Sequence, residues 1–96
     1  MSDRRIRWTV RALRRLDEIG RHIETDNPAA AARVISRVVS AADILVEQPA
    51  MGRVGRIRGT REAVLSDISY IVVYRVGRDI EILTVIHTSQ RWPSAL

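Results

Sequence analysis

Residues 59–93, GTREAVLSDISYIVVYRVGRDIEILTVIHTSQRWP, decide the fold of this 96-residue chain. They hold three runs of high β-propensity: Arg61 to Leu65, Tyr70 to Val76 and Ile80 to His87. Ser66-Asp67 and Gly77-Arg78-Asp79 supply turn chemistry between them. Connections so short join antiparallel neighbours, which predicts a β-meander. A polar tail, Thr88 to Pro93, follows the last run. It lies beyond the strands and is expected to add little to the sheet, while its Trp92 should either dock back onto the sheet or contact a partner.

Upstream, Ile6 and Trp8 alternate with Arg5 and Arg7, the period of a short half-buried strand. Thr9 stands where a helix N-cap belongs. Ala12, Leu13, Leu16, Ile19, Gly20 and Ile23 then recur on one helical face, with Arg11, Arg14, Glu18 and Arg21 opposite. Gly20 inside that stripe costs ~1 kcal/mol against alanine, which points to close approach by a second helix. Asp26-Asn27-Pro28 opens that helix with a capping residue and a proline at its first position. Its apolar stripe is Ala31, Val34, Ile35, Val38, Ala42 and Leu45, and Pro49 ends it. The short link makes the two helices an antiparallel hairpin, with Gly20 expected against Ala31, Ala32 or Ala42. Met51 to Gly59 reads as a glycine- and arginine-rich loop, without the Lys-Ser/Thr pair of a phosphate-binding loop. The predicted order is β-α-α-β-β-β in a single domain, residues 1–96. This is an α+β fold, a helical hairpin packed on a twisted antiparallel sheet.

Composition narrows the function classes. A hydrophobic share of 46% and a charged share of 28% are those of a soluble globular protein. The absence of cysteine excludes disulfides and thiolate metal sites, and two histidines, His22 and His87, argue against a histidine metal centre. No cofactor is expected. The charged start, Met1-Ser2-Asp3-Arg4-Arg5, is no signal peptide, and no apolar run approaches the ~20 residues that span a membrane. A cytoplasmic protein is the expectation. The formal net charge is +5, and all 16 basic residues are arginine. Arginine does not deprotonate below pH ~12, so the acid–base chemistry that lysine offers is missing. The balance implies an acidic partner, either nucleic acid or an acidic polypeptide.

Several pieces in order then resemble one family. They are Trp8-Thr9 opening the first helix, the apolar spacing through Leu16, Ile19 and Ile23, Asn27-Pro28-Ala29-Ala30 opening the second, and Pro49-Ala50-Met51-Gly52-Arg53 after it. Gly59-Thr60-Arg61-Glu62, Tyr70 to Val76, Ile86-His87 and Arg91-Trp92-Pro93 complete the series. Over nearly its whole length the chain resembles the ParE-like branch of the RelE/ParE superfamily, toxins of bacterial type II toxin–antitoxin modules. Ser69 departs from the pattern, since the family often has proline before the tyrosine. The resemblance implies a cytoplasmic toxin neutralised by a ParD-like antitoxin in a hetero-oligomer. It also implies inhibition of DNA gyrase, with nucleic acid reached only indirectly through the antitoxin. The RelE branch instead cuts ribosome-bound messenger, and fold alone does not choose between them.

The candidate residues follow from these alternatives. A ribonuclease needs an acid, a base and cations on the phosphate, and His87, Arg61 and Glu62 are the groups available. Arg58, Arg61, Arg75 and Arg91 are the cations expected on the sheet face away from the helices. Arg61 and Glu62 are strand neighbours and point to opposite faces, which favours two separate structural pairs. Such a set is thin, and a binding toxin without catalytic residues is favoured. Its target-binding candidates are Arg91, Trp92, Arg58 and Arg75, tryptophan and arginine being enriched in binding hot spots. Its antitoxin-binding candidates are Leu13, Leu16, Arg33, Arg37 and Arg53. A module that merely tracks phosphates is disfavoured by arginines expected over both helices and both sheet faces and by the scarcity of stacking aromatics.

Overall fold

The computed structural model describes residues 3–96; Met1 and Ser2, the start of the charged N-terminal run, lie outside the described residues. Along it run β1 (Ile6–Trp8), α1 (Val10–Glu24), α2 (Pro28–Ile44), β2 (Arg53–Val54), β3 (Arg61–Leu65), β4 (Tyr70–Val76) and β5 (Ile80–His87). Local chemistry sets the helix starts. The Thr9 hydroxyl accepts from the Ala12 amide at 3.1 Å, and the Asn27 carboxamide accepts from the Ala30 amide at 3.0 Å. α2 ends at Ile44, several residues ahead of Pro49, where Leu45 buries itself and a turn follows.

The described strands form one sheet in the order β1-β5-β4-β3-β2. Two features differ from the sequence expectation. The sheet is mixed, because β1 lies parallel to β5 (Ile6 opposite Ile80, Trp8 opposite Ile82) while the other pairs are antiparallel. The helical hairpin supplies the crossover that a parallel pair requires. The supposed loop after Met51 also contains β2, two residues too short for any periodic signal, which pair with Glu62 and Arg61.

One face of the sheet takes the helices. Ala12, Ile19, Val38, Ala42 and Leu45 pack there against Val72, Tyr74, Ile80, Ile82 and Val85. The helices meet through Gly20, but its neighbour is Ile35, whose Cδ1 lies 3.4 Å from where a Cβ would stand. The alanines anticipated there are not its contact. In β5 the register slips between Thr84, opposite Val73, and Ile82, opposite Tyr74. That bulge lets Ile82 and Val85 face the helices while Leu83 and Ile86 face away.

Leu83 and Ile86 join Ile71 and Val73 in a second apolar cluster on the opposite face, and Trp92 and Leu96 pack over it. The tail is therefore part of the sheet's packing: it adds more than expected, and of the two roles open to Trp92, docking onto the sheet or contacting a partner, the docking is the one seen. An apolar face of four buried residues needs a cover, and the sequence beyond His87 provides it.

Tyr74 fastens the far corner. Its hydroxyl donates to the Pro49 carbonyl at 2.7 Å and accepts from the Gly52 amide at 2.9 Å. A Cβ at Gly52 would stand 2.7 Å from that oxygen and 2.8 Å from the Glu62 carbonyl, so only glycine fits. Burial pushes the Tyr74 hydroxyl above its usual value of 10.0, with the Gly52 amide and the Arg61 charge pulling the other way. A raised folded value means that this group's stabilisation is intact below the unfolded pKa and lost as pH climbs through the folded one. Tyr74→Phe should cost about 1–3 kcal/mol at neutral pH by stranding Pro49 O and Gly52 N. It should also flatten the alkaline fall in stability that urea titrations of the wild type reveal above pH ~10. Equal denaturation midpoints at neutral pH would show the tether to be idle.

At the β3–β4 turn, Ser69 has φ 62°, a left-handed backbone. Proline cannot reach that region, so this turn is built differently from one with proline before the tyrosine.

Candidate functional site

The hairpin leaves apolar surface uncovered. Leu13 is 52% exposed although it belongs to the stripe read from the sequence. With Leu16, Gly20 and Ile35 it lines a shallow groove of about 310 Å³, edged by Asp17 and Arg21. Gly20 keeps the groove floor low, since a side chain there would press on Ile35.

The remaining antitoxin-binding candidates divide. Arg33 is exposed on α2 with no ion pair among the described residues. Arg37 grips Asp67 through two hydrogen bonds, at 2.9 and 3.2 Å. That guanidinium holds the Asp67 carboxyl below its ordinary value. Arg53 is paired to Glu62 at 2.8 Å. Arg37 and Arg53 border a second groove of about 370 Å³, where Ile44, Met51 and Val64 are exposed beside β3. Two apolar grooves thus flank α2, one toward α1 and one toward the sheet edge.

The target-binding candidates also separate. Arg91 and Trp92 line a cleft of about 580 Å³ with Arg11, Arg14 and Arg15 of α1 and Ile86 of β5. Arg15 holds this cleft together: Nε donates to Val85 O at 3.0 Å and Nη2 to Gln90 Oε1 at 2.6 Å. Trp92 is half-buried, and the Arg56 guanidinium stacks on its ring 3.8 Å from the centroid. Arg56 is itself held by Glu62, whose Oε2 accepts from the Arg56 amide at 2.7 Å. Buried Glu62 therefore links Arg53, Arg56 and, through Arg56, the tail. Sequence reading did not find this network, nor Arg15, since its partners lie far apart in the chain. Arg58 and Arg75 stand elsewhere, at the end of the sheet where β3 and β5 begin.

The acid–base candidates do not converge. Arg61 is opposite Tyr74 on the helix side of the sheet and donates to Gly52 O at 2.7 Å. His87 is opposite Tyr70 on the same side, four residues further along β4, roughly 13 Å at ~3.3 Å per residue. Its Nδ1 accepts from the Ser89 amide at 3.1 Å, and its ring meets Tyr70 edge-on at 5.0 Å. Glu62 faces the other side and is 2% exposed, with both carboxylate oxygens engaged. Nor do Arg58, Arg61, Arg75 and Arg91 gather on the face away from the helices, which is apolar and capped by Trp92. Among the described residues no group of three His, Asp or Glu is placed to hold a metal ion.

The comparisons with known proteins agree with this architecture. The family model for the ParE toxin of the type II toxin–antitoxin system parDE matches residues 6–92. The chain belongs to the ParE toxin family. It is 64% identical over 96 residues to the toxin-named protein Y4kP of Sinorhizobium fredii (strain NBRC 101917 / NGR234), the match spanning 100% of both chains. Its fold is similar to a chain in the chromosomal ParDE toxin–antitoxin system of P. aeruginosa, with a TM-score of 0.80 and 26% identity, covering 90% of this chain and 97% of that one. A chain of the toxin–antitoxin complex RelBE2 from Mycobacterium tuberculosis matches with a TM-score of 0.64 and 27% identity, covering 85% and 94%. The ParE toxin family thus accounts for β1 through the tryptophan of the tail. No helix among the described residues is long and apolar enough to cross a membrane.

Proposed function

We propose that this type II toxin is held inactive in the cytoplasm by a ParD-like antitoxin bound to its helical hairpin, and that the free toxin inhibits DNA gyrase by binding. The observation that carries the antitoxin half is the apolar groove of Leu13, Leu16 and Ile35, left open on a small folded protein. A helix or extended segment laying apolar side chains into it would remove that surface from water. The dispersal of Arg61, Glu62 and His87 favours inhibition by contact over cleavage of RNA.

Two measurements test the reading. Purified toxin should block supercoiling by gyrase, and added antitoxin should restore it. Toeprinting of translating ribosomes should show no new stops. Discrete cleavage in the ribosomal A site would instead make the protein a ribosome-dependent ribonuclease, with Arg61 and His87 the first residues to replace.

The groove makes its own prediction. Leu13→Asp should leave the melting temperature unchanged, because the side chain is half in solvent. It should weaken antitoxin binding by ~2 kcal/mol, roughly thirtyfold, as expected for loss of an apolar anchor. Unaltered affinity by calorimetry would move the antitoxin off the hairpin.

A further inference from the structure

Seven of the 16 arginines are spread over the helices and the tail, but the other nine lie in segments that meet in space. β3 and β5 start, and β4 finishes, at one end of the sheet, where β1 also begins. Three segments meet there: residues 3–7, with three arginines and Asp3; residues 53–62, with four arginines and Glu62; and residues 75–81, with two arginines, Asp79 and Glu81. Nine arginines and four acids therefore crowd this end, while the rest of the chain carries seven of each. The three segments together carry the whole formal net charge of +5, with the Arg56 guanidinium turned back onto Trp92. Residues 10–48, the hairpin with its link and the turn after α2, carry six arginines and six acids and are electrically balanced.

We propose that this end of the sheet binds the phosphate backbone of duplex DNA. Three of its arginines, Arg5, Arg58 and Arg78, are exposed and have no side-chain hydrogen bond or ion pair among the described residues. They come from three segments, so a ligand touching all of them must be extended. Arg7 and Arg75 share Glu81 at 4.0 and 3.3 Å, which fixes them in a row across β1, β5 and β4. From β1 to β2 that end spans four strand intervals, roughly 19 Å at ~4.8 Å each, room for several phosphates.

The surface suits a polyphosphate better than an acidic peptide. A peptide partner needs apolar anchors at the centre of its footprint. Leu13, Ile44, Met51 and Val64, all exposed, border the two grooves beside α2, and Val54 is the exposed large hydrophobic residue at the charged end. Phosphate contacts need only charge and donors. A duplex suits it better than a single strand, because among the described residues no aromatic ring is free to stack: Tyr70 and Tyr74 are buried, Trp8 packs against the helix-side core and Trp92 is covered by Arg56. The choice of DNA among polyphosphates rests on the gyrase reading, since gyrase holds duplex DNA beside any inhibitor bound near its active centre.

The test uses the full-length toxin and a short mixed-sequence DNA duplex, by fluorescence anisotropy across a salt series. Wild type should bind with a steep salt dependence. The variant Arg5→Ala, Arg58→Ala, Arg78→Ala should bind at least about tenfold more weakly, with the slope of log K against log salt reduced by up to about 3. A matched variant, Arg14→Ala, Arg21→Ala, Arg33→Ala, makes the same charge change on the balanced helices and should keep wild-type affinity. Circular dichroism melts confirm that both are folded. Equal loss in the two variants would reduce the effect to net charge and overturn the proposal. So would undiminished binding by the first variant, tighter binding of an RNA duplex than of DNA, or displacement of the DNA by polyglutamate at equal charge. None of these arms contains gyrase, so a toxin that binds duplex through this end yet leaves supercoiling intact would sink the gyrase target alone.

Discussion

Stripping both arginines from Glu62 is expected to cost about 3–5 kcal/mol of stability, the range measured when a buried ion pair loses one side. The Glu62 side chain is 1% exposed, whereas those of Arg53 and Arg56 are 56% and 53% exposed. The asymmetry sets the sign of the experiment. Arg53→Ala with Arg56→Ala leaves a carboxylate in the interior facing no cation, with the Arg56 amide its remaining donor. Removing the carboxylate instead, as Glu62→Ala, leaves two guanidinium groups that water can reach. The double arginine variant should therefore be less stable than Glu62→Ala, and the triple variant should recover part of the loss. A triple variant less stable than the double would show that the carboxylate matters for packing and not for charge. Urea denaturation of the four proteins settles the order.

Trp92→Ala is the second large effect. The ring covers Ile71, Val73, Leu83 and Ile86 and carries the Arg56 cation on its outer face. Because Trp92 is only half-buried, a loss of about 2–4 kcal/mol is expected, below the ~3–5 of a fully buried aromatic. For a domain of this size that is a fall of roughly 4–8 °C in Tm for each kcal/mol. Arg91→Ala separates stability from poisoning. Arg91 has no hydrogen bond or ion pair among the described residues, so its removal should leave Tm unchanged. If the cleft beside α1 meets the target, Arg91→Ala should nevertheless lower growth inhibition. A stable Arg91→Ala protein of full toxicity would clear Arg91 of that role, and an unchanged Tm in Trp92→Ala would refute the covering role.

The legible parts of this molecule are those governed by near neighbours in sequence. The caps at Thr9 and Asn27, the two helical stripes and the three long strands depend on residues within one or two turns of each other. β2 escaped because two residues carry no period, and the parallel seat of β1 because its partner is some 74 residues away. The candidate site suffered more. Arg53 and Arg56 look like loop charges until the fold sets both against Glu62 and stacks Arg56 on Trp92. Leu13 looks like core from its place in the stripe, yet it lies open in the groove beside Ile35. Ion pairs such as Arg37 with Asp67 have no sequence signature, since two charges 30 residues apart meet only after folding.

β5 lies between β1 and β4, and it is the last strand in order of synthesis. Thr9 donates to Ile82 O through its amide at 3.1 Å and its hydroxyl at 3.0 Å, so even the first helix is anchored to that strand. Until β5 is made, β1 and β4 have no strand between them and the sheet stays split. Closing the long loop between the ends comes late, as in other proteins dominated by non-local pairing. The segment that includes the apolar hairpin is thus available to a partner before the basic end of the sheet exists. If an antitoxin binds the hairpin as proposed, its site is complete in the growing chain before the sheet closes.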